Sequence, residues 1–297
     1  HNLDTTIKEP FASNPAVLDA VEKNHKKLQI AMTKLYPGNL VLSLSSGIMY
    51  HRLVDRITAL NDVPREPLVP RRLGKNMCVP FGKILRGKVV PNTVTKTLHT
   101  DKVYEPDLNS FTIEPFPYYS PLKSQIETIK SFDRPVILVD DLVHTANRLQ
   151  VLVPQLREDG IPIKKVVVGV LSGYGRDLMQ CLKVPVESIY SMPNLRQWFV
   201  ESTLYPFIGG DTVRREEMKV AGLQPSINMI LPYATPRLSG CSREALVEFS
   251  ACCIENSRDL FQVLEAEYRK MYAKNLTLSR LSEAVILPLC PDKGSCM

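Results

Sequence analysis

Apolar and polar positions along this chain change period several times, and each change marks an element. Val17, Leu18, Val21, Leu28, Met32 and Leu35 keep near-helical spacing after Asn14-Pro15 and before Pro37-Gly38, which predicts an amphipathic helix. Asn39 to Leu44 reads as a first strand, Ser45-Ser46-Gly47 as a small polar turn, and Ile48 to Leu60 returns to helical spacing. A Pro- and Arg-rich connector over 61–75 leads to Met77-Cys78-Val79-Pro80-Phe81, a second short strand. Val89 to Tyr104 is strand-like and studded with cations, whereas Glu105 to Pro121, with four prolines, reads as a mobile cover.

The densest apolar run follows a short predicted helix over 121–130. Val136-Ile137-Leu138-Val139 is the signature of a buried parallel strand, ended by the paired acids Asp140-Asp141. Arg148 to Arg157 has helical spacing, so its first N–H groups, at the positive end of the helix dipole, face back toward those acids. Asp159-Gly160-Ile161-Pro162 then turns the chain into the apolar run Lys165 to Leu171, which completes a βαβ unit of ordinary length. Ser172-Gly173-Tyr174-Gly175-Arg176 reads as a glycine-bearing loop, 177–182 as a short helix and Val186 to Tyr190 as another strand. Strands alternating with helices predict an α/β fold.

Beyond Pro236 the composition shifts. Ser242 to Asn275 lacks Pro and Gly and carries an apolar stripe that includes Leu246, Phe249, Cys253, Leu260, Leu264 and Tyr268. One long helix or two abutting ones are expected there, packed on the core, on the first helix or on another subunit, with a further helix over 277–287 and a frayed tail over 288–297. The expected organisation is a lead-in and helix over 1–37, an α/β domain over 38–235, and a helical extension over 236–297 packed on the core.

Composition narrows the function classes. A chain of 297 residues that is 44% hydrophobic can bury a substantial core, and its net charge of +6 comes without a Lys/Arg block. That balance suits anionic small molecules, and nucleic acid is not required. Seven cysteines without a Cys-x-x-Cys pair argue against a disulfide framework, so a reducing cytoplasm is the expected location. No apolar run approaches the roughly 20 residues of a membrane span, so no membrane partner is expected. His1 in place of an initiating Met leads to the expectation of a fragment whose longer polypeptide carries an additional domain.

The stretch from Val136 to Arg148 resembles the ribose-phosphate loop of type I phosphoribosyltransferases, in which an apolar strand leads into two acids, two apolar residues and a Thr/Gly-rich phosphate turn. The resemblance implies a twisted, mainly parallel sheet of about five strands flanked by helices, with a flexible loop and a hood. It implies that Asp140 and Asp141 contact the ribose hydroxyls of phosphoribosyl pyrophosphate, directly or through Mg²⁺. Val143, His144, Thr145, Ala146, Asn147 and Arg148 would wrap the 5′-phosphate. The family usually carries Gly where Ala146 stands and Thr or Ser where Arg148 stands; a guanidinium there offers bidentate, charge-assisted contacts to phosphate instead. Ser45, Ser46 and Gly47 take the place of the pyrophosphate loop, with Lys96 and Lys102 as further pyrophosphate ligands, and Trp198, in the expected hood over 193–211, as a base-stacking residue. His144 stands where some purine-using members carry a carboxylate base, and it either serves as that base or hydrogen-bonds phosphate.

Each of these residues also has a plainer reading. Paired acids and Ser-Ser-Gly turns cap helices, exposed lysines are solvated, and a lone Trp anchors a core. The implied function is binding of phosphoribosyl pyrophosphate or a nucleotide 5′-phosphate, with transfer of the phosphoribosyl group to a nucleobase and release of pyrophosphate. The alternative is a non-catalytic module that senses the same ligand within a larger polypeptide. The resemblance also implies a homodimer.

Overall fold

The computed structural model describes residues 7–62, 72–82, 84–85, 90–105, 110–116, 119–198, 209–213, 226–228 and 240–285. In chain order the elements are α1 (Pro15–Leu35), α2 (Ser46–Leu60), β1 (Met77–Pro80), β2 (Val94–Thr95), β3 (Thr100–Tyr104), β4 (Phe111–Pro115) and α3 (Leu122–Lys130). There follow β5 (Val136–Val143), α4 (Asn147–Glu158), β6 (Ile163–Ser172), α5 (Gly173–Cys181), β7 (Val186–Met192), β8 (Gly209–Val213), β9 (Ser226–Asn228), α6 (Arg243–Tyr272) and α7 (Leu281–Ala284).

The chain divides into two compact units. One comprises residues 45–103 and 109–198, and the other comprises 1–44, 104–108 and 199–297. The first is an α/β layer structure around a five-stranded sheet in the order β2-β1-β5-β6-β7, in which every neighbouring pair is parallel. Strand alternation assigns the layers. Met77, Leu138, Val166 and Val168 form one apolar cluster with Ile126 and Ile129 of α3, Leu149, Leu152 and Leu156 of α4, and Met179 of α5. Cys78, Ile137, Val139 and Val167 form another, against Leu53, Val54 and Ile57 of α2. A sheet buried on both faces accounts for the unbroken apolar runs of β5 and β6.

Two strand expectations fail, one at residues 39–44 of the other unit and one at the end of β5. Residues 39–44 form no strand, and Leu40 is 84% exposed, because an apolar segment becomes a strand only beside a ladder partner and none of the described strands pairs with it. The acids do not end β5 either. The strand runs through them to Val143, since Leu142 and Val143 remain in register with Val170 and Leu171 of β6. Within the expected mobile cover, Phe111–Pro115 forms β4, a neighbour of β3. The glycine-bearing loop at 172–176 is the capped first turn of α5, with the Ser172 side chain accepting the Gly175 N–H.

In the other unit the first and last helical segments fold together. Asn14 caps α1 as the sequence suggests, accepting from the N–H groups of Ala16 and Val17. Val17, Ala20 and Val21 pack with Leu260, Leu264 and Tyr268, and farther along Leu28 and Leu35 pack with Leu246, Phe249 and Cys253. Each buried large aliphatic side chain contributes about 1.5–3 kcal/mol relative to exposure. The 242–275 stripe thus packs on the first helix, one of the surfaces open to it, and the carboxyl-terminal segment shares a unit with residues 1–37. The helix expected over 277–287 is confined to a 3₁₀ turn at Leu278–Arg280 and the single turn α7. β8 and β9 form an antiparallel pair where no strand was expected. Most of the 61–75 connector, residues 199–208 of the hood and the 288–297 tail lie outside the described residues. Among the described residues no helix is long and apolar enough to cross a membrane.

Candidate functional site

The strand order singles out one crevice. β2 follows β1 and lies on one side of it, whereas β5, the next strand of this sheet, lies on the other. The order therefore reverses between β1 and β5, and open α/β sheets bind ligands outside the carboxyl ends of their strands at such a switch point. Pro80 is level with Val139, and the Phe81 N–H donates to the Val139 carbonyl at 3.0 Å, so Phe81 and Gly82 lie beside the twin acids. Gly82 has φ +56°. Neither residue was singled out from the sequence, although a strand followed by Gly at the end of an apolar run could have marked them.

Asp140 is buried, and its Oδ1 accepts from the Arg148 guanidinium of α4 at 2.9 Å, with the two side chains 6% and 27% exposed. The guanidinium also lies 5.6 Å from the centroid of the Phe81 ring. Burial raises the Asp140 pKa well above the carboxylate range, Arg148 opposes that shift, and the adjoining Asp141 carboxyl reinforces it. Arg148 Nε is buried without a hydrogen-bond partner among the described residues. Asp141 is exposed, and its Oδ1 accepts the N–H of Leu142 at 2.8 Å. The acids thus occupy different environments, one enclosed and paired, the other facing water.

The turn that follows is held by its own side chains. Thr145 Oγ1 accepts from Asn147 Nδ2 at 2.7 Å, and the Thr145 carbonyl accepts from Gln150 Nε2 at 2.8 Å. Ala146, at the N-cap of α4, has φ 50° and ψ 22° and makes no side-chain cap. The turn therefore adopts the left-handed conformation that a glycine would supply, at a cost of about 1–2 kcal/mol for a residue with a Cβ. With no cap from Ala146, the helix start can serve an anion.

His144 lies one residue earlier than that turn and faces a different set of groups. Its Nδ1 is 2.8 Å from Ser172 Oγ, and its ring centroid is 5.7 Å from that of Tyr174 and 5.3 Å from that of Trp198. The structure thus brings together the expected base-facing residue and the expected stacking residue; Trp198 is 43% exposed and edge-on to the imidazole. Ser172 was missed as a site residue because 28 positions separate it from His144. A Ser at the end of an apolar run and before a helix would have flagged it as a cap.

The expected pyrophosphate residues fall in three places. Ser45 caps α2, accepting from the Ile48 N–H at 3.4 Å. One turn further, Met49 packs over Gly169 of β6, where an added Cβ would lie 2.1 Å from Met49 Sδ and 2.6 Å from the Asp141 carbonyl oxygen. The start of α2 therefore lies near the acids, although no strand precedes it. Lys96 is exposed and follows the edge strand β2, its N–H donating to the Cys78 carbonyl at 3.0 Å. It stands two strands from β5, about 10 Å at ordinary strand spacing. The Lys102 ammonium lies 4.2 Å from the centroid of the Phe111 ring, a cation–π contact that engages the charge locally.

The donor set does not fit an Mg²⁺ ion shared by both acids. Mg²⁺ favours near-octahedral oxygen donors, and Asp140 is already engaged by Arg148 in surroundings that favour its neutral form. Among the described residues no three His, Cys, Asp or Glu side chains gather as a metal site.

No family model matches this chain, and no curated protein matches it. Among solved structures, it is similar to a purine phosphoribosyltransferase from Pyrococcus horikoshii, at 15% identity over 54% of this chain and 91% of that one, with a TM-score of 0.30. It is likewise similar to a hypoxanthine phosphoribosyltransferase from Trypanosoma cruzi, at 17% identity over 53% of this chain and 77% of that one, with a TM-score of 0.29. An adenine phosphoribosyltransferase from Thermoanaerobacter pseudethanolicus has 10% identity over 48% of this chain and 80% of its own, with a TM-score of 0.28. At these identities and scores the likenesses assign no family and no activity to the chain.

Proposed function

We propose that this chain is a phosphoribosyltransferase-like protein that binds phosphoribosyl pyrophosphate or a nucleotide 5′-phosphate at the carboxyl end of β5, and that it acts as a binding module. The observation that carries this reading is the start of α4, where a left-handed turn at Ala146 leaves the helix without a side-chain cap from that residue, beside Arg148 at the switch point of a parallel sheet. Phosphate suits such a place because helix-terminal N–H groups and a guanidinium all donate to it. The ligand is a small sugar phosphate or nucleotide.

Binding is favoured over transfer because the buried acid is already neutralised. Breaking the bond between the ribose and pyrophosphate needs carboxylates that orient the sugar and a charge balance on the leaving group. Asp140 is held by Arg148 and has no vacant charge to offer. Transfer to a nucleobase is the second reading, and the neighbouring rings of His144 and Trp198 favour it, since together they make a wall for a planar base.

Calorimetry against phosphoribosyl pyrophosphate, with and without Mg²⁺, and against nucleoside monophosphates tests the proposal. Binding that Arg148→Leu weakens, together with no release of pyrophosphate from a panel of bases, is the expected result. Release of pyrophosphate moves the assignment to transfer. The absence of binding by the native chain to any of these ligands discards both readings.

A further inference from the structure

The hydroxyl of Ser172 has two neighbours among the described residues. It accepts the Gly175 N–H at 2.9 Å, and it lies 2.8 Å from His144 Nδ1. Ser172 is 1% exposed, so water is excluded and these two contacts must satisfy it. A hydroxyl carries one proton to donate and lone pairs to accept with. Since the Gly175 N–H can only donate, His144 Nδ1 is the acceptor left for the Ser172 proton. If Nδ1 carried the imidazole proton instead, it too would donate to Oγ, and the buried O–H would point at nothing, a costly arrangement.

We propose that Ser172 is a positioning residue that selects the Nε2-protonated tautomer of the His144 ring, so that the ring offers the site a hydrogen-bond donor at Nε2. The imidazole ring stands near those of Tyr174 and Trp198, at centroid distances of 5.7 and 5.3 Å. The ligand group that meets His144 is accordingly an acceptor, such as a carbonyl oxygen or a ring nitrogen lone pair of a nucleotide base. This half of the inference rests on the binding function proposed above; the tautomer does not.

The placement of Ser172 is itself enforced. A Cβ added at Gly175 would lie 2.3 Å from the Val143 carbonyl oxygen, so glycine lets the first turn of α5 close against the end of β5. That approach is what brings the residue capping α5 within reach of the residue after β5. The link from Val143 to His144 and from Ser172 to Gly175 is thus a single packed junction.

Nitrogen NMR of labelled histidine at about pH 8, where a free imidazole is neutral, tests the tautomer without any ligand. The expected His144 spectrum has Nδ1 as the unprotonated nitrogen and Nε2 as the protonated one. Ser172→Ala should relax this to a mixture, and Ser172→Thr, which keeps the hydroxyl, should restore it; a role confined to capping α5 would leave the tautomer unchanged. A native spectrum with the proton on Nδ1 overturns the proposal. With inosine 5′-monophosphate as the probe, His144→Gln should bind within about threefold of native and His144→Glu at least about tenfold more weakly. The reverse order overturns the donor role. Failure of the native chain to bind any phosphorylated ligand overturns the binding function and leaves the spectrum to decide the tautomer.

Discussion

Arg148 lies eight residues after Asp140, on α4, and its guanidinium reaches back over the start of that helix to the buried carboxylate at 2.9 Å. One contact thereby joins the strand that carries the acids to the helix whose amino end could hold an anion. It also makes the two functions compete, because the guanidinium that neutralises Asp140 also stands beside the turn. A phosphate drawing Arg148 toward itself would weaken its hold on a carboxylate that is buried and disposed to be neutral.

The pair should shape stability as a function of pH. Asp140 has a folded-state pKa raised well above its ordinary value, chiefly by burial, so the folded chain holds that proton more tightly than the unfolded chain does. Its contribution is fully present below the unfolded carboxylate pKa and is lost as pH rises through the folded one. Arg148→Leu removes the main opposing influence and should destabilise the chain by roughly 2–3 kcal/mol at neutral pH, less in acid. The loss falls short of that for breaking a fully enclosed ion pair because Arg148 remains 27% exposed, where water screens its charge. Asp140→Asn should flatten the profile. Urea unfolding across pH measures both, and a steeper profile in Asp140→Asn than in the native chain would refute the assignment.

The βαβ unit that carries the candidate site was legible in the sequence, and the reasons are physical. The βαβ unit around β5 and β6 announced itself because a strand buried on both faces needs an unbroken apolar run, and the turn residues before Lys165 fix the return. The 39–44 segment misled because a short apolar run reports a preference for extended chain and not the partner that stabilises it. Ser172 and His144, or Phe81 and Arg148, meet only after the strands align, so their contacts had no local signature. The same holds for Asn61, whose side chain donates to the Asn76 carbonyl and to Thr93 Oγ1, each at 3.0 Å, and accepts the Asn76 N–H at 2.8 Å.

Gly169 should be intolerant of even the smallest side chain. A Cβ there would lie 2.1 Å from Met49 Sδ, which can swing aside, and 2.6 Å from the Asp141 carbonyl oxygen, which belongs to the neighbouring strand and cannot. Gly169→Ala is expected to cost about 1–3 kcal/mol by overpacking and to displace the acids. Thermal unfolding gives the first quantity, and ligand titration on the folded fraction gives the second. A variant with native stability and native affinity would show that β5 yields freely at this level.

Trp198 supplies an optical reporter for the site, because it is the only tryptophan in the chain and its ring lies 5.3 Å from His144. A nucleotide seated against that wall should change its emission, with a titration midpoint equal to the calorimetric Kd. Trp198→Leu should weaken nucleotide binding by about tenfold, the scale of one stacking contact, and should leave ribose 5-phosphate binding nearly unchanged. Equal losses for both ligands would place Trp198 in the support of the turn and not against a base.

In the helical unit, Asn24 and Asn256 exchange reciprocal hydrogen bonds: Asn24 Nδ2 donates to the Asn256 carbonyl at 2.7 Å, and Asn256 Nδ2 donates to the Asn24 carbonyl at 3.0 Å. Both are buried, and Asn256 Oδ1 has no partner among the described residues, so the pair is an imperfectly satisfied polar link inside an otherwise apolar helix contact. Such groups favour one register of two packed helices at the expense of stability. Replacing Asn256 alone by Ala should destabilise the chain by about 1–3 kcal/mol, because a buried side chain is lost and a cavity remains. Replacing both by Leu should recover that loss or exceed native stability, while hydrogen exchange along α1 and α6 becomes faster as alternative registers open. Unchanged exchange in a more stable double variant would mean that the apolar positions Val17, Leu28, Leu260 and Leu264 set the register by themselves.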